Sequence, residues 1–164
     1  MIIYVDGACS GNGSDDAIGG FGVIVLDNDE KFITEHHEQV KNTTNNRMEL
    51  SAILWAMIQY GKEVPCPTVY SDSAYCINTL TSWCWGWRNK GWLKSDNKEP
   101  ENLDLIQAYC KLYDQGYRID LRKCAGHAGN FWNEQADKLA VAAKEGAQQV
   151  AIKLLNHIDY DERK

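Results

Sequence analysis

The sequence of 164 residues has no apolar run long enough to cross a bilayer, so no membrane association is expected. It also lacks the opening of a secretory leader. Met1-Ile2-Ile3-Tyr4-Val5-Asp6 carries no basic side chain and reaches a carboxylate at once, so no signal peptide is expected. Cysteine occurs six times, yet no two are spaced Cys-x-x-Cys, which removes the usual structural zinc signature. A chain of this length builds a core without staples, so the cysteines are read as reduced thiols of a cytoplasmic protein, with Cys76 as core filler. Repeats, linkers and low-complexity segments are absent, and proline occurs only three times. One domain over 1–145 is expected, with 146–164 as a C-terminal helix or tail. Positive charge is in short supply: 17 Lys and Arg stand against 23 Asp and Glu, a net charge of −6. Such a balance opposes phosphate binding unless cations are concentrated in one place or bound metal cancels some of the acids.

What is present is a regular alternation of strand and helix signals. Residues 2–9, 20–26 and 31–40 read as strands joined by turn-rich segments, which makes them antiparallel neighbours. Thr43-Thr44-Asn45-Asn46 precedes a helical row of Leu50, Ile53, Leu54, Met57 and Ile58. Thr68–Ser71 is a short apolar strand, and Asp72-Ser73 can cap the helix after it. Residues 82–100 read as irregular, 101–114 as an amphipathic helix, 117–124 as a fifth strand, 126–129 as a loop and 131–145 as a helix. The order βββαβα…αβα implies one five-stranded mixed sheet, α/β, with helices on both faces.

Four carboxylates stand out by position. Asp6 interrupts an apolar strand, where an unpaired charge is costly. Asp72 ends a second apolar strand, where it is also a good helix cap. Glu49 begins a helix, a favourable place for an acid in any case. Asp137 lies in a helix and by itself would be a surface residue. Ligand sites in such sheets gather at the carboxyl ends of strands, so Asp6 and Asp72 meet if their strands are neighbours. Carboxylates sharing one pocket require cations, and oxygen-only donors select hard ions such as Mg²⁺ or Mn²⁺.

Tyr4-Val5-Asp6-Gly7-Ala8-Cys9-Ser10-Gly11-Asn12, Thr43-Thr44-Asn45-Asn46-Arg47-Met48-Glu49-Leu50, Tyr70-Ser71-Asp72-Ser73-Ala74-Tyr75 and Gly126-His127-Ala128-Gly129 with Asn133-Glu134-Gln135-Ala136-Asp137 follow one another in this order. Together they resemble the four motifs of type 1 ribonucleases H. The resemblance implies the ribonuclease H-like fold and a ribonuclease H domain over 1–145. It implies hydrolysis of the RNA strand of RNA–DNA hybrids by two Mg²⁺ ions, replaceable by Mn²⁺, leaving 5′-phosphate and 3′-hydroxyl ends. Asp6, Glu49, Asp72 and Asp137 are then metal ligands, and His127 assists proton transfer or product release.

An enzyme that selects RNA in a hybrid must sense the 2′-hydroxyl. Asn12, Asn45 and Asn46 are the implied contacts, although the latter two also suit a helix cap. Thr44 and Arg47 either hold a DNA phosphate or order the pocket, and Arg47 equally suits pairing with nearby acids. Trp83-Cys84-Trp85-Gly86-Trp87-Arg88-Asn89-Lys90-Gly91-Trp92-Leu93-Lys94 resembles the basic, Trp-rich protrusion of bacterial members. Trp83 and Trp87, four apart, are expected to pack on the body, and Arg88, Lys90, Lys94 and Lys98 to face phosphates or form a solvated loop.

The family's Gly-Asn-Pro-Gly turn is Gly11-Asn12-Gly13-Ser14 here, its Gln after Asp-Ser is Ala74, and Asn130-Phe131-Trp132 replaces a more polar stretch. These departures bear on affinity and sequence preference more than on chemistry. A monomer without an obligate protein partner is expected. The rival readings are an integrase- or resolvase-like DNA enzyme and a non-catalytic hybrid-binding module.

Overall fold

A computed structural model describes residues 1–12, 14–124 and 130–146. Of the expected C-terminal segment only Gly146 falls inside this range, and His127 with its loop falls outside it. Three strands, β1 (Ile2–Ser10), β2 (Ile18–Leu26) and β3 (Phe32–Lys41), lead into α1 (Asn45–Tyr60) and β4 (Thr68–Ser71). α2 (Ala74–Asn78) runs through a π-helical stretch at Thr79–Trp83 into α3 (Cys84–Asn89). α4 (Leu103–Asp114), β5 (Asp120–Lys123) and α5 (Phe131–Glu145) complete the described chain.

The five strands form one sheet in the order β3-β2-β1-β4-β5. β1 pairs antiparallel with β2 and β2 with β3, while β1–β4 and β4–β5 are parallel. This is the expected mixed sheet, and helices cover both faces. Ile3, Val5, Val23, Val25 and Val69 pack with α1, α2 and α4 on one side. Tyr4, Ile24 and Leu26 pack with Trp132, Ala136, Leu139 and Ala143 of α5 on the other. The two-residue alternation of β1 and β2 therefore feeds two cores.

Three expectations need correction. The stretch beginning at Ser82 is helical as far as Asn89, because Cys76, Leu80 and Cys84 recur every fourth residue and are all buried. β5 starts at Asp120 rather than at 117, since Arg118 N–H bonds to Gly61 O before Asp120 N–H reaches Pro67 O at the start of β4. Ile58 is 52% exposed, because it continues the row of Leu54, itself at the margin of the buried face.

Two glycines decide how closely the helices approach. A Cβ on Gly7 would lie 2.6 Å from Glu49 N and 2.7 Å from Met48 C, so α1 rests directly on β1 just past Asp6. A Cβ on Gly20 would lie 2.5 Å from Lys144 N and 2.6 Å from Ala140 O, so α5 rests on β2. Both contacts are backbone to backbone, which no side chain can relieve.

Candidate active site

The pairing of β1 with β4 ends at Tyr4 and Tyr70. The strands thus part just before Asp6 and Asp72, leaving a notch at their carboxyl ends. Ser73, not Asp72, caps α2: its hydroxyl accepts from Cys76 N. The Asp72 carboxylate is thereby left for the notch. Glu49 enters it in the first turns of α1, over Gly7. One carboxylate oxygen from each of Asp6, Glu49 and Asp72 lies within 4.8 Å of the others.

This pocket is costly for negative charge. Asp6 is only 3% exposed and Glu49 is buried. Burial is the largest cause raising the Asp6 carboxyl above the ordinary carboxylate range, followed by the charge of Glu49, a hydrogen bond with it, and the charge of Asp72. Glu49 is raised too, chiefly by burial and then by Asp72, while hydrogen bonds from Asp6 and the Gly7 backbone pull it down. Glu49 Oε2 is buried with no hydrogen-bond partner among the described residues. Asp137, exposed on α5, is not in the 4.8 Å group. It nevertheless acts on the pocket, raising the proton affinity of Asp6 and of Glu49. A buried, oxygen-only donor set with an orphaned carboxylate oxygen fits a hard divalent cation.

Two thiols border the acids. Burial pushes Cys76 up to about 12 and Cys124 up to about 11, with Asp72 adding to the latter. Both remain protonated at neutral pH and are unsuited to nucleophilic attack. The Cys124 thiol donates to Oδ1 of the buried Asn133 at 3.3 Å.

The polar residues flanking the notch are ordered by local bonds. Thr44 caps α1, accepting from Arg47 N at 3.1 Å. Asn12 Oδ1 accepts from Asn45 N at 2.8 Å and ties the loop after β1 to the same helix end. The Asn45 side chain is exposed and that of Asn46 half-buried. Arg47 takes the acid-pairing alternative, with its two terminal nitrogens donating to Asp104 at 3.0 and 2.8 Å.

Farther out, Trp83 and Trp87 do not both pack inward. Trp87 packs against the core, whereas Trp83 is 48% exposed. The two rings lie 6.2 Å apart and line an open groove with Lys90, Leu93 and Lys94. Arg88 turns from that groove to Asp114, to which it donates two bonds at 3.0 and 2.7 Å. Lys94 lies 3.8 Å from Asp96.

Sequence reasoning missed Tyr75, Asn102 and Asp104. Asn102 Nδ2 donates to the Tyr75 hydroxyl at 3.0 Å, and Asn102 Oδ1 accepts from Arg47 at 3.3 Å. The available signal was an Asn immediately before an amphipathic helix with Asp in its first turn.

A family model described as RNase H matches residues 1–145. The chain is 40% identical to the ribonuclease H of Dichelobacter nodosus over 155 residues, covering 91% of this chain and 95% of that one. It is 39% identical to the ribonuclease H of Rickettsia typhi over 152 residues, covering 92% and 94%. Among solved structures it is similar to LC9-RNase H1, described as a type 1 RNase H with the type 2 active-site motif, at 30% identity and a TM-score of 0.72 over 88% of this chain and 72% of that one. It shares its fold with the PFV RNase H domain, at 19% identity and a TM-score of 0.74 over 88% and 93%.

Proposed function

The chain belongs to the ribonuclease H family, and from that premise we propose that it is an endonuclease hydrolysing the RNA strand of RNA–DNA hybrids, with Asp6, Glu49, Asp72 and Asp137 holding two Mg²⁺ ions. The observation that carries this reading is the convergence of three carboxylates from β1, α1 and the end of β4 within 4.8 Å. Asp6, Glu49, Asp72 and Asp137 would hold the divalent pair, which would supply positive charge to activate a water and to offset charge on the leaving 3′ oxygen; the products would carry 5′-phosphate and 3′-hydroxyl ends. Mn²⁺ offers the same preference for oxygen donors.

The protein's own groups bind and orient. Asp6 and Glu49, held above their ordinary proton affinity by burial, give up protons as cations bind. Asn12, Asn45 and Asn46, gathered at the N-terminus of α1, are suited to the 2′-hydroxyl on the RNA strand. Thr44 and Arg47 hold the shape of that helix end. The Trp83–Trp87 groove with Lys90 and Lys94 offers aromatic faces and positive charge to the other strand. His127 is assigned an assisting role in proton transfer or product release.

The six cysteines are free thiols, which supports a reducing, cytoplasmic setting. No helix among the described residues is long and apolar enough to cross a membrane. The protein is proposed to act as a monomer. Cleavage of four labelled substrates, a hybrid, an RNA duplex, single-stranded RNA and a DNA duplex, tests the proposal. Magnesium-dependent cutting confined to the RNA of the hybrid is the expected result. Cutting of the DNA duplex would favour an integrase-like enzyme, and hybrid binding without cutting a non-catalytic module.

A further inference from the structure

Glu49 and Asp72 carry like charges into one pocket, but they come from different elements, α1 and the β4–α2 junction. Among the described residues, no hydrogen bond between Glu49 and Asp72 joins those elements. A polar link does so just outside the pocket. Arg47, two residues before Glu49, donates to Asn102 Oδ1 at 3.3 Å. Asn102 Nδ2 donates to the hydroxyl of Tyr75, three residues after Asp72, at 3.0 Å. The path Glu49–Arg47–Asn102–Tyr75–Asp72 therefore closes on itself through two short stretches of backbone.

Each joint of the link is set by its neighbours. Asp104 grips the Arg47 guanidinium through both carboxylate oxygens, at 3.0 and 2.8 Å. Arg47 in turn holds the Asp104 carboxyl below the ordinary carboxylate range. With the guanidinium fixed, the amide of Asn102 has one workable orientation, because turning it over would set its donor NH₂ against a cation. Asn102 itself is pinned at a φ of 59°, and its carbonyl accepts from Leu105 and Ile106 N–H at the start of α4. The Tyr75 hydroxyl, having accepted from Asn102, donates to Glu101 O at 3.5 Å.

We propose that Tyr75 and Asp104 are positioning residues: acting through Asn102 and Arg47, they hold the Glu49 and Asp72 carboxylates at the spacing a shared divalent cation requires. The inference rests on the metal-dependent reading of the acid cluster. Like charges push α1 and α2 apart in the metal-free protein, and a strut between them keeps the site ready to bind. Without it, a cation must first draw the two elements together, and affinity falls.

The test uses Tyr75→Phe, which removes one oxygen, together with Asp104→Asn and the double variant. Mn²⁺ binding to the full-length, substrate-free protein is measured by calorimetry, alongside the thermal midpoint without metal and hybrid cleavage against magnesium concentration. Each single variant is expected to weaken Mn²⁺ binding by about 3–10-fold, at or below the usual loss for a partner outside the ligands. Half-maximal magnesium for cleavage should rise by the same factor, with the hybrid KM nearly unchanged. The double variant should lose no more than the worse single one, since both break one link. Wild-type Mn²⁺ affinity in a folded Tyr75→Phe protein overturns the proposal even if its thermal midpoint falls. So does a raised KM with unchanged metal affinity, which would make the link a substrate contact. Absence of Mn²⁺ binding by the wild type removes the metal reading and this inference with it.

Discussion

Asp6 and Glu49 face each other in a buried pocket, with one carboxylate oxygen of each within 4.8 Å of the other. Burial and mutual repulsion raise the proton affinity of both carboxyl groups. The cluster is therefore a source of instability whenever its charge is not cancelled.

The consequence is a pH-dependent stability of the metal-free protein with a defined sign. Asp6 and Glu49 have folded-state proton affinities above their unfolded values, so the folded state holds the extra protons. Their contribution is fully present below the unfolded carboxylate pKa, about 4, and is lost as pH rises toward the folded values. Asp6→Asn removes this loss. Without metal its thermal midpoint should match the wild type near pH 4 and exceed it by about 3–6 °C at pH 7, for a difference of one to two kcal/mol. Added magnesium should narrow the gap, because only the intact cluster gains from binding. A gap that does not vary with pH would contradict the assignment. Cleavage by Asp6→Asn, Glu49→Gln or Asp72→Asn should be nearly abolished in each case.

Gly7 is the seat on which this arrangement rests. Gly7→Ala would place a methyl group 2.6 Å from Glu49 N and 2.7 Å from Met48 C, both backbone atoms. α1 must then lift from β1 and carry Glu49 away from Asp6. The expected cost is about 3 kcal/mol, at the upper end for overpacking, together with a large loss of cleavage that extra magnesium only partly restores. Urea unfolding and a magnesium titration of activity measure the two effects. Wild-type stability and activity would mean that α1 is not seated at this glycine.

How much of this was legible beforehand depended on the kind of signal. Asp6 stood out because a lone carboxylate in an apolar strand needs a reason, whereas Glu49 and Asp72 each had an ordinary helix-start explanation and drew attention only through the four motifs in order. Short turns made the first three strands antiparallel neighbours, but the adjacency of β1 and β4 was left open. The helical path through Trp83–Asn89 was hidden, because tryptophans and charges mask the buried row of Cys76, Leu80 and Cys84. The late start of β5 was hidden as well, since Arg118 finds its partner at Gly61 rather than on β4. The Arg47–Asn102–Tyr75 link was least legible of all. Polar partners far apart in the chain share no periodicity, and their pairing emerges only when α1, α2 and α4 pack together.

His127 lies outside the described residues, and its assisting role rests on the motif Gly126-His127-Ala128-Gly129. His127→Ala should lower kcat by up to about 100-fold, the lower range of general acid–base assistance, with little change in KM. Single-turnover and steady-state rates compared side by side separate proton transfer from product release. A collapse of hybrid binding at unchanged turnover would make His127 a substrate contact instead.

The groove beside Trp83 bears on how a protein of net charge −6 holds a polyanion. Four cations in this region, Arg88, Lys90, Lys94 and Lys98, are candidates for phosphate contact, but they are not equivalent. Arg88 is committed to Asp114 through two bonds, whereas Lys90 and Lys94 line the groove itself. Each phosphate neutralised releases counterions, so the logarithm of hybrid affinity should fall with the logarithm of salt, by about 0.7–0.9 in slope per contact. Lys90→Ala with Lys94→Ala should therefore raise KM and flatten the salt dependence by about 1.5 in slope, while kcat at saturation changes less. Arg88→Ala should flatten it less than either lysine does. A cleavage series from low to moderate salt on wild type, the double-lysine variant and the arginine variant provides the comparison. An unaltered slope in the double-lysine variant would move the binding surface elsewhere, with Arg122-Lys123 on β5 the next cations to neutralise.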